Sequence, residues 1–290
     1  MDLALTPGQQ RLAATARQSF SSGGPAPLVA GSLVDLAVVG RELGRVAGDL
    51  AFHAEVLARL IGWNSWEAVA VGLDTRDGVA EFVGCAARAS TFLLQSSPTT
   101  VLVMARADVQ LVPQPTLADA DCCRVTFSPA AARDAIAVDV AGAVARAAIV
   151  LAADAVGAAE AALEAAVAHV MARNQWGAPL STLQVVRHRC ADMLLDLTLA
   201  RDAVFDAAGM ADRGADEVEV GLAAAYAMAT AAERCRRVTA SAHQLAGGQG
   251  VDAAAPFHHW YRRVKCAEST FGDLRSHREH IAAALLDGSR

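Results

Sequence analysis

A mainly α-helical fold follows from three features of this chain. Alanine-rich runs with apolar residues at helical spacing fill the C-terminal half, and a shorter helical stretch opens the chain. Between them the texture changes to brief β-rich runs punctuated by proline. The C-terminal half holds four amphipathic segments with short connections, for which a four-helix bundle is the natural architecture. Hydrophobic residues make up 54% of the 290, much of that alanine, the strongest helix former. Such a chain promises a large buried core, organised as one large domain or as two or three closely packed ones.

Residues 1–74 read as helical. Thr6-Pro7 is a helix start, with threonine as N-cap and proline at the first position, and the Ser-Ser-Gly-Gly-Pro-Ala-Pro break at 21–27 ends that helix. Leu33, Leu36, Leu43, Val46 and Leu50 are spaced for one buried face of a second helix. Residues 75–139 carry β-rich runs at Thr91–Gln95, Thr99–Met104, Asp108–Val112 and Cys122–Ser128. From 140 to 290 the chain is helical again. Val156, Leu163, Val167 and Val170 form one stripe, with Glu160 and Glu164 directed elsewhere. Val186, Met193, Leu197 and Val204 form a second, and further helices cover Glu217–Ala246 and about 272–286.

Composition excludes several functions. A net charge of −6 argues against nucleic acid, which wants a basic surface. Lys265 is the single lysine among 25 basic residues, which reads as the codon bias of a GC-rich genome. Six cysteines show no CxxC pair and no metal-ligand spacing with histidine, so reduced thiols of a cytoplasmic protein are expected. Adjacent Cys122 and Cys123 are expected on opposite faces of a strand. No signal peptide is evident, and the most apolar stretch, Ala147–Ala159, is interrupted by Asp154 and is too short to span a bilayer. No membrane association is expected. His258 with His259, and His277 with His280 one turn apart, read as surface or interface histidines, because no carboxylate completes a metal site.

Two turns carry chemistry. Arg173-Asn174-Gln175-Trp176-Gly177 ends the first bundle helix, with Gln184 at the start of the next. A guanidinium there suits a bidentate contact with a pyrophosphate, and equally suits the negative end of a helix dipole. The second turn, Gln244-Leu245-Ala246-Gly247-Gly248-Gln249-Gly250, lets a ligand approach the backbone, and a glycine run also serves as a helix C-cap. With the tail Pro256, Tyr261-Arg262-Arg263 and Lys265, the last 150 residues resemble the C-terminal domain of the acyl-CoA dehydrogenases. The first 140 resemble that family less closely, through Arg41-Glu42-Leu43-Gly44-Arg45 and Phe52-His53-Ala54-Glu55. The resemblance implies a truncated N-terminal helical domain (1–74), a reduced β middle domain (75–139) and a C-terminal four-helix bundle (140–290). The family's Thr-Glu-Pro and Gly-Ser-Asp segments of the middle domain have no counterpart here.

What the resemblance implies about cofactor and chemistry is specific. Arg173, Gln175, Trp176, Gln184, Gln244, Leu245, Ala246, Gly247 and Gly248 stand where the family clasps the adenosine diphosphate end of FAD, across a dimer interface. Trp176 replaces a phenylalanine beside the neighbouring subunit's flavin, and it reads equally as core packing at the bundle end. Dehydrogenation of an acyl-CoA needs a carboxylate to remove the α-proton while the flavin accepts the β-hydride. The family's two positions for that base are Phe271 and Ala147 in this chain, and neither accepts a proton. Asp273 stands where a threonine helps seat the flavin, and Glu268 is the nearest acidic substitute. The combination resembles the short, base-lacking subunits of heteromeric α2β2 acyl-CoA dehydrogenases of actinobacterial steroid catabolism. That implies a base-bearing partner, an acyl-CoA substrate of steroid type and an acceptor of the electron-transfer flavoprotein kind. A non-catalytic structural or flavin-binding accessory on the same scaffold is the alternative.

Overall fold

The computed structural model describes residues 5–24, 31–65 and 67–286. The chain divides into two compact units, residues 49–147 and a helical unit built from residues 1–48 and 148–290.

In the helical unit, α1 (Pro7–Ser21) starts as anticipated. The Thr6 hydroxyl accepts from the Gln9 N–H at 3.3 Å and the Gln9 side chain accepts from the Thr6 N–H at 3.0 Å, a reciprocal capping box. The helix ends before the Ser22–Gly24 turn; the proline part of the expected break, residues 25–27, lies outside the described residues. Helix α2 (Leu33–Arg45) is shorter than its apolar spacing suggested. Ala47, at φ +49°, turns the chain left-handed, and Gly48 N–H reaches the Leu43 carbonyl at 3.0 Å in a Schellman-type stop. Val46 and Leu50 therefore fall beyond the helix. At its other end, the Asp212 carboxylate accepts from the Leu33 and Val34 N–H groups at 2.7 and 3.0 Å. Asp212→Ala is expected to cost about 1–2 kcal/mol, the scale of a lost N-cap, in urea denaturation.

The bundle proper is formed by α4 (Val140–Ala172), α5 (Gln184–Asp212), α6 (Glu217–Ala246) and α8 (Leu274–Leu286). Most of the expected stripes face inward: Val156, Leu163 and Val170 on α4, and Met193, Leu197 and Val204 on α5, are buried, while Val167 and Val186 are only partly so. A fifth helix, α7 (Phe257–Ala267), was not foreseen. Its eleven residues mix aromatic, basic and small side chains, so no long apolar period announces it, yet Phe257, Trp260 and Val264 all face inward.

Helix α4 is long and apolar enough to cross a membrane by length and composition. Here it is a core helix, with most of its apolar stretch buried and two acids paired inside the unit. Asp154 takes a bidentate pair from Arg263 of α7, at 2.5 and 2.6 Å. Glu160, expected to point away from the core, is instead buried and receives Arg41 and Arg45 of α2 at 2.7 and 3.0 Å. Periodicity within one helix cannot show that another helix, more than a hundred residues away, supplies the counter-charge that makes burial tolerable.

The second unit contains α3 (Ala51–Ile61) and two sheets. One sheet orders β1 (Val69–Gly72), β3 (Thr91–Ser97), β4 (Thr100–Ala105) and β7 (Asp134–Ala137); β1 runs parallel to β3 and the other pairs are antiparallel. The other orders β2 (Val79–Val83), β6 (Cys123–Phe127) and β5 (Val109–Pro113), all antiparallel. Phe92, Leu94 and Met104 from one sheet and Val83, Val109 and Val125 from the other share one core. The β-rich reading found β3 to β6 and missed β1, β2 and β7. β1 and β7 have four residues each, too few for a period to register, and β2 is broken by a bulge with Phe82 at φ +51°. Cys122 lies just before its strand, and both it and Cys123 are buried. Among the described residues no group of three potential metal ligands occurs.

Candidate functional site

The Arg173 turn is a small hairpin, β8 (Asn174–Gln175) against β9 (Ala178–Pro179), with Trp176-Gly177 as its two-residue loop. Both loop residues have positive φ, 51° and 81°, as the tightest hairpin turns require. Glycine adopts this freely. Tryptophan pays roughly 1–2 kcal/mol for it, and its side chain gains no packing in return, being 83% exposed. The strained backbone thus holds a large apolar ring out in solvent. The hairpin is fixed by Leu180 N–H donating to the Arg173 carbonyl at 2.8 Å, and by the Arg187 guanidinium donating to Ser181 O at 2.8 Å.

The second turn follows α6. Gly247 caps that helix with φ 57° and ψ −128°, a conformation open essentially to glycine alone. A Cβ at Gly247 or Gly248 would meet nothing within 4 Å, so the backbone there lies bare, whereas one at Gly250 would strike the His243 carbonyl at 2.6 Å. His243 steadies the last turn of α6. Its Nδ1 lies 2.9 Å from the Thr239 carbonyl and must donate, and its ring is set edge-on to Phe257 and Tyr261. Nothing in the sequence pattern singled this histidine out.

The two turns lie at the same end of the bundle. Helices α5 and α6 run antiparallel and are pinned by Arg234 on Asp196 at 2.5 Å. Twelve residues along each helix from that pair, Gln184 comes level with Ala246. No acidic residue occupies the first turn of α5, so the positive end of its dipole is uncompensated. The side chains of Arg173, Gln175, Gln184 and Gln244 are exposed, and among the described residues none makes a hydrogen bond or ion pair. Unspent donors, bare glycine backbone and a helix N-terminus converge where an anionic, hydrogen-bonding ligand would fit.

Phe271 and Gly272 form the turn between α7 and α8, with φ 61° and 110°. The phenylalanine is partly buried in a left-handed conformation. Asp273 caps α8, accepting from the Ser276 N–H at 2.8 Å, and that bond holds its carboxyl below the usual range. Glu268 lies close by in sequence, but its carboxylate is committed to Arg236 at 3.0 Å and to Lys265. Ala147 is buried in α4. His277 packs beneath the Phe271–Gly272 turn, and burial lowers its pKa. The His258 and His259 rings lie 3.9 Å apart, with His258 Nδ1 donating to the Ala255 carbonyl.

Residues 139–286 match the family described as acyl-CoA dehydrogenase, C-terminal domain. That is just over half of the sequence, and the chain belongs to the acyl-CoA dehydrogenase family. "Probable acyl-CoA dehydrogenase FadE25" of Mycobacterium tuberculosis is 36% identical over 134 residues, 46% of this chain and 34% of that protein. The chain thus spans about a third of the length of the curated relatives it matches. Among solved structures, the ChsE4–ChsE5 complex from Mycobacterium tuberculosis aligns over all of both chains with a TM-score of 0.83 at 18% identity. The steroid ACAD Tcur3481–Tcur3483 aligns with a TM-score of 0.78 at 20% identity, covering 99% of this chain and 91% of that one. At such identities the likeness establishes the fold. Proteins of this family bind FAD, and the exposed, unpaired groups of the two turns suit its adenosine diphosphate end.

Proposed function

We propose that this chain is the base-lacking subunit of a heteromeric FAD-dependent acyl-CoA dehydrogenase, cytoplasmic and assembled as α2β2. The observation that carries this reading is a pairing of opposites: a set of nucleotide-clasping groups left entirely unspent, and a phenylalanine where a proton acceptor is needed. FAD, when bound, supplies the acceptor for the hydride leaving the β-carbon. This chain's part is to hold the cofactor's nucleotide end. Arg173 would neutralise the pyrophosphate, the first turn of α5 would add its positive dipole end, and Gln244 with the bare Gly247–Gly248 backbone would hold the adenosine end. Trp176, held out on its strained hairpin, packs against the neighbouring subunit. The carboxylate that removes the α-proton comes from the partner, because Phe271 and Ala147 have no acceptor atom and Glu268 is bound to two cations. The complexes named among the structural relatives support a paired assembly, and the steroid ACAD supports a steroid-derived acyl-CoA as substrate. The electron acceptor on this reading is of the electron-transfer flavoprotein kind.

The test is Arg173→Ala in the complex co-purified with its base-bearing partner. Losing charge-assisted hydrogen bonds of roughly 1.5–3 kcal/mol should weaken FAD binding about tenfold to a hundredfold. The readout is flavin absorbance per complex after gel filtration. Full flavin occupancy in the variant would assign the chain to the structural, accessory reading instead.

A further inference from the structure

Lys265 is the chain's single lysine. Every other basic side chain of the Lys and Arg class is arginine, whose guanidinium stays protonated and is no nucleophile at neutral pH. Apart from the α-amino group, one amine is therefore open to acyl transfer, and its surroundings suit that reaction. Lys265 lines a cavity of about 800 Å³ formed by α6, the end of α7 and α8, entirely within the helical unit. Its ammonium donates to the Glu268 carboxylate one turn on, and its side chain remains 34% exposed. Three exposed arginines share the wall. Arg236 meets Glu268 at 3.0 Å, Arg275 meets Glu279 at 2.7 Å and Arg278 meets Glu233 at 2.6 Å. Exposed pairs of this kind hold weakly, and a phosphate offers each guanidinium a bidentate acceptor in place of a carboxylate. Asp273, also on the wall, is spent on the first turn of α8 through the Ser276 N–H. Leu274 and Ala282 add apolar surface beside the amine.

We propose that Lys265 is an acylation site, modified by a short-chain acyl-CoA whose phosphates are received by Arg236, Arg275 and Arg278. The first proton of the ammonium passes to Glu268, to which it is already hydrogen-bonded, and on to solvent. The freed Nζ lone pair adds to the thioester carbonyl carbon and the C–S bond breaks. The second proton leaves with the thiolate as free CoA thiol, and a neutral amide stays on Lys265. No oxidant or further reagent enters. The commitment that keeps Glu268 from an α-proton is what makes it the acceptor for this one. Once acylated, Lys265 carries no charge and Glu268 is left to Arg236 alone, so the tie within α7 is lost while the tie from α6 remains. The inference rests on the acyl-CoA reading for the class of thioester that reaches the chain. Its readout is a mass, independent of flavin, so it and the Arg173 clamp fail separately.

The test compares two thioesters on the unaltered, co-purified complex: butyryl-CoA, and S-butyryl-N-acetylcysteamine, which carries the same thioester without phosphates. Mass spectrometry of this chain, with fragmentation to place the adduct, follows the reaction with time. Lys265 should gain one butyryl group at least about tenfold faster from butyryl-CoA, because the arginines hold the reagent beside the amine. Adenosine 3′,5′-bisphosphate, which lacks a thioester, should remove that advantage, as should Arg236→Gln combined with Arg278→Gln. Glu268→Gln should slow both thioesters at least about tenfold. Equal rates from the two thioesters would overturn the inference, as would failure of the bisphosphate to protect. Faster acylation in Glu268→Gln would also overturn it, since the carboxylate would then be shielding the amine instead of taking its proton.

Discussion

Gly157→Ala is expected to abolish cooperative folding of the helical unit. A Cβ at Gly157 would stand 1.8 Å from the Arg41 carbonyl oxygen, and one at Gly44 would stand 1.9 Å from the Asp154 carbonyl oxygen. Both obstacles are backbone, so no side chain can swing aside. Gly40, one turn before Gly44, comes within 2.9 Å of Val150 O by the same measure. Helices α2 and α4 therefore cross with their backbones in contact, and the crossing admits no methyl group. Separating two long helices in a close-packed interior forfeits contacts along the whole crossing. The loss should exceed about 4 kcal/mol, a large share of the 5–15 kcal/mol typical of a whole domain. Circular dichroism with urea titration is the measurement, expected to show no native baseline or no soluble protein. Gly221→Ala serves as the control: it lies inside α6 with only His280 at 3.8 Å, so it should be neutral or gain up to about 1 kcal/mol from helix propensity. A Gly157→Ala protein with an unchanged midpoint would remove the crossing from this account.

What the sequence disclosed depended on whether the determining interaction was local. The α1 cap was legible because Thr6, Pro7 and Gln9 are neighbours in the chain. The inner stripe of α5 was legible because burial repeats with the helix period. The burial of Glu160 was not, since its arginines lie more than a hundred residues away on α2. The left-handed stop at Ala47 was hidden for a related reason: alanine is the last residue from which such a turn is read. In the site, Arg173 and Gln244 stood out only through the resemblance of their turns to a known family, since each residue type alone also suits a helix end. That Trp176 stands outward on a strained hairpin required backbone angles.

Arg263→Ala is expected to cost about 3–5 kcal/mol, because it strands a charge inside the helical unit. Asp154 is buried on α4, and Arg263 meets it with both Nε and Nη2 while Nη1 donates to the Gly48 carbonyl at 2.6 Å. One guanidinium thus joins α7 to α4 and to the chain leaving α2, and beside it the Trp260 indole donates to the Arg45 carbonyl at 3.0 Å. Truncation leaves the carboxylate without its cation and a backbone carbonyl without its donor. Replacing both charges, as in Asp154→Leu with Arg263→Met, should recover most of the loss, since a buried pair is worth little beyond an apolar pair of similar volume. A double variant no more stable than Arg263→Ala would show that the pair acts through geometry that apolar groups cannot reproduce. The consequence reaches the cofactor. Helix α7 follows the Gly247–Gly250 turn directly and supplies Phe257 and Tyr261 against His243, so loosening α7 frees the last turn of α6. In the assembled complex, Arg263→Ala should therefore release flavin at a urea concentration below that at which bulk helicity is lost. The charge-free double variant should bring the two transitions back together.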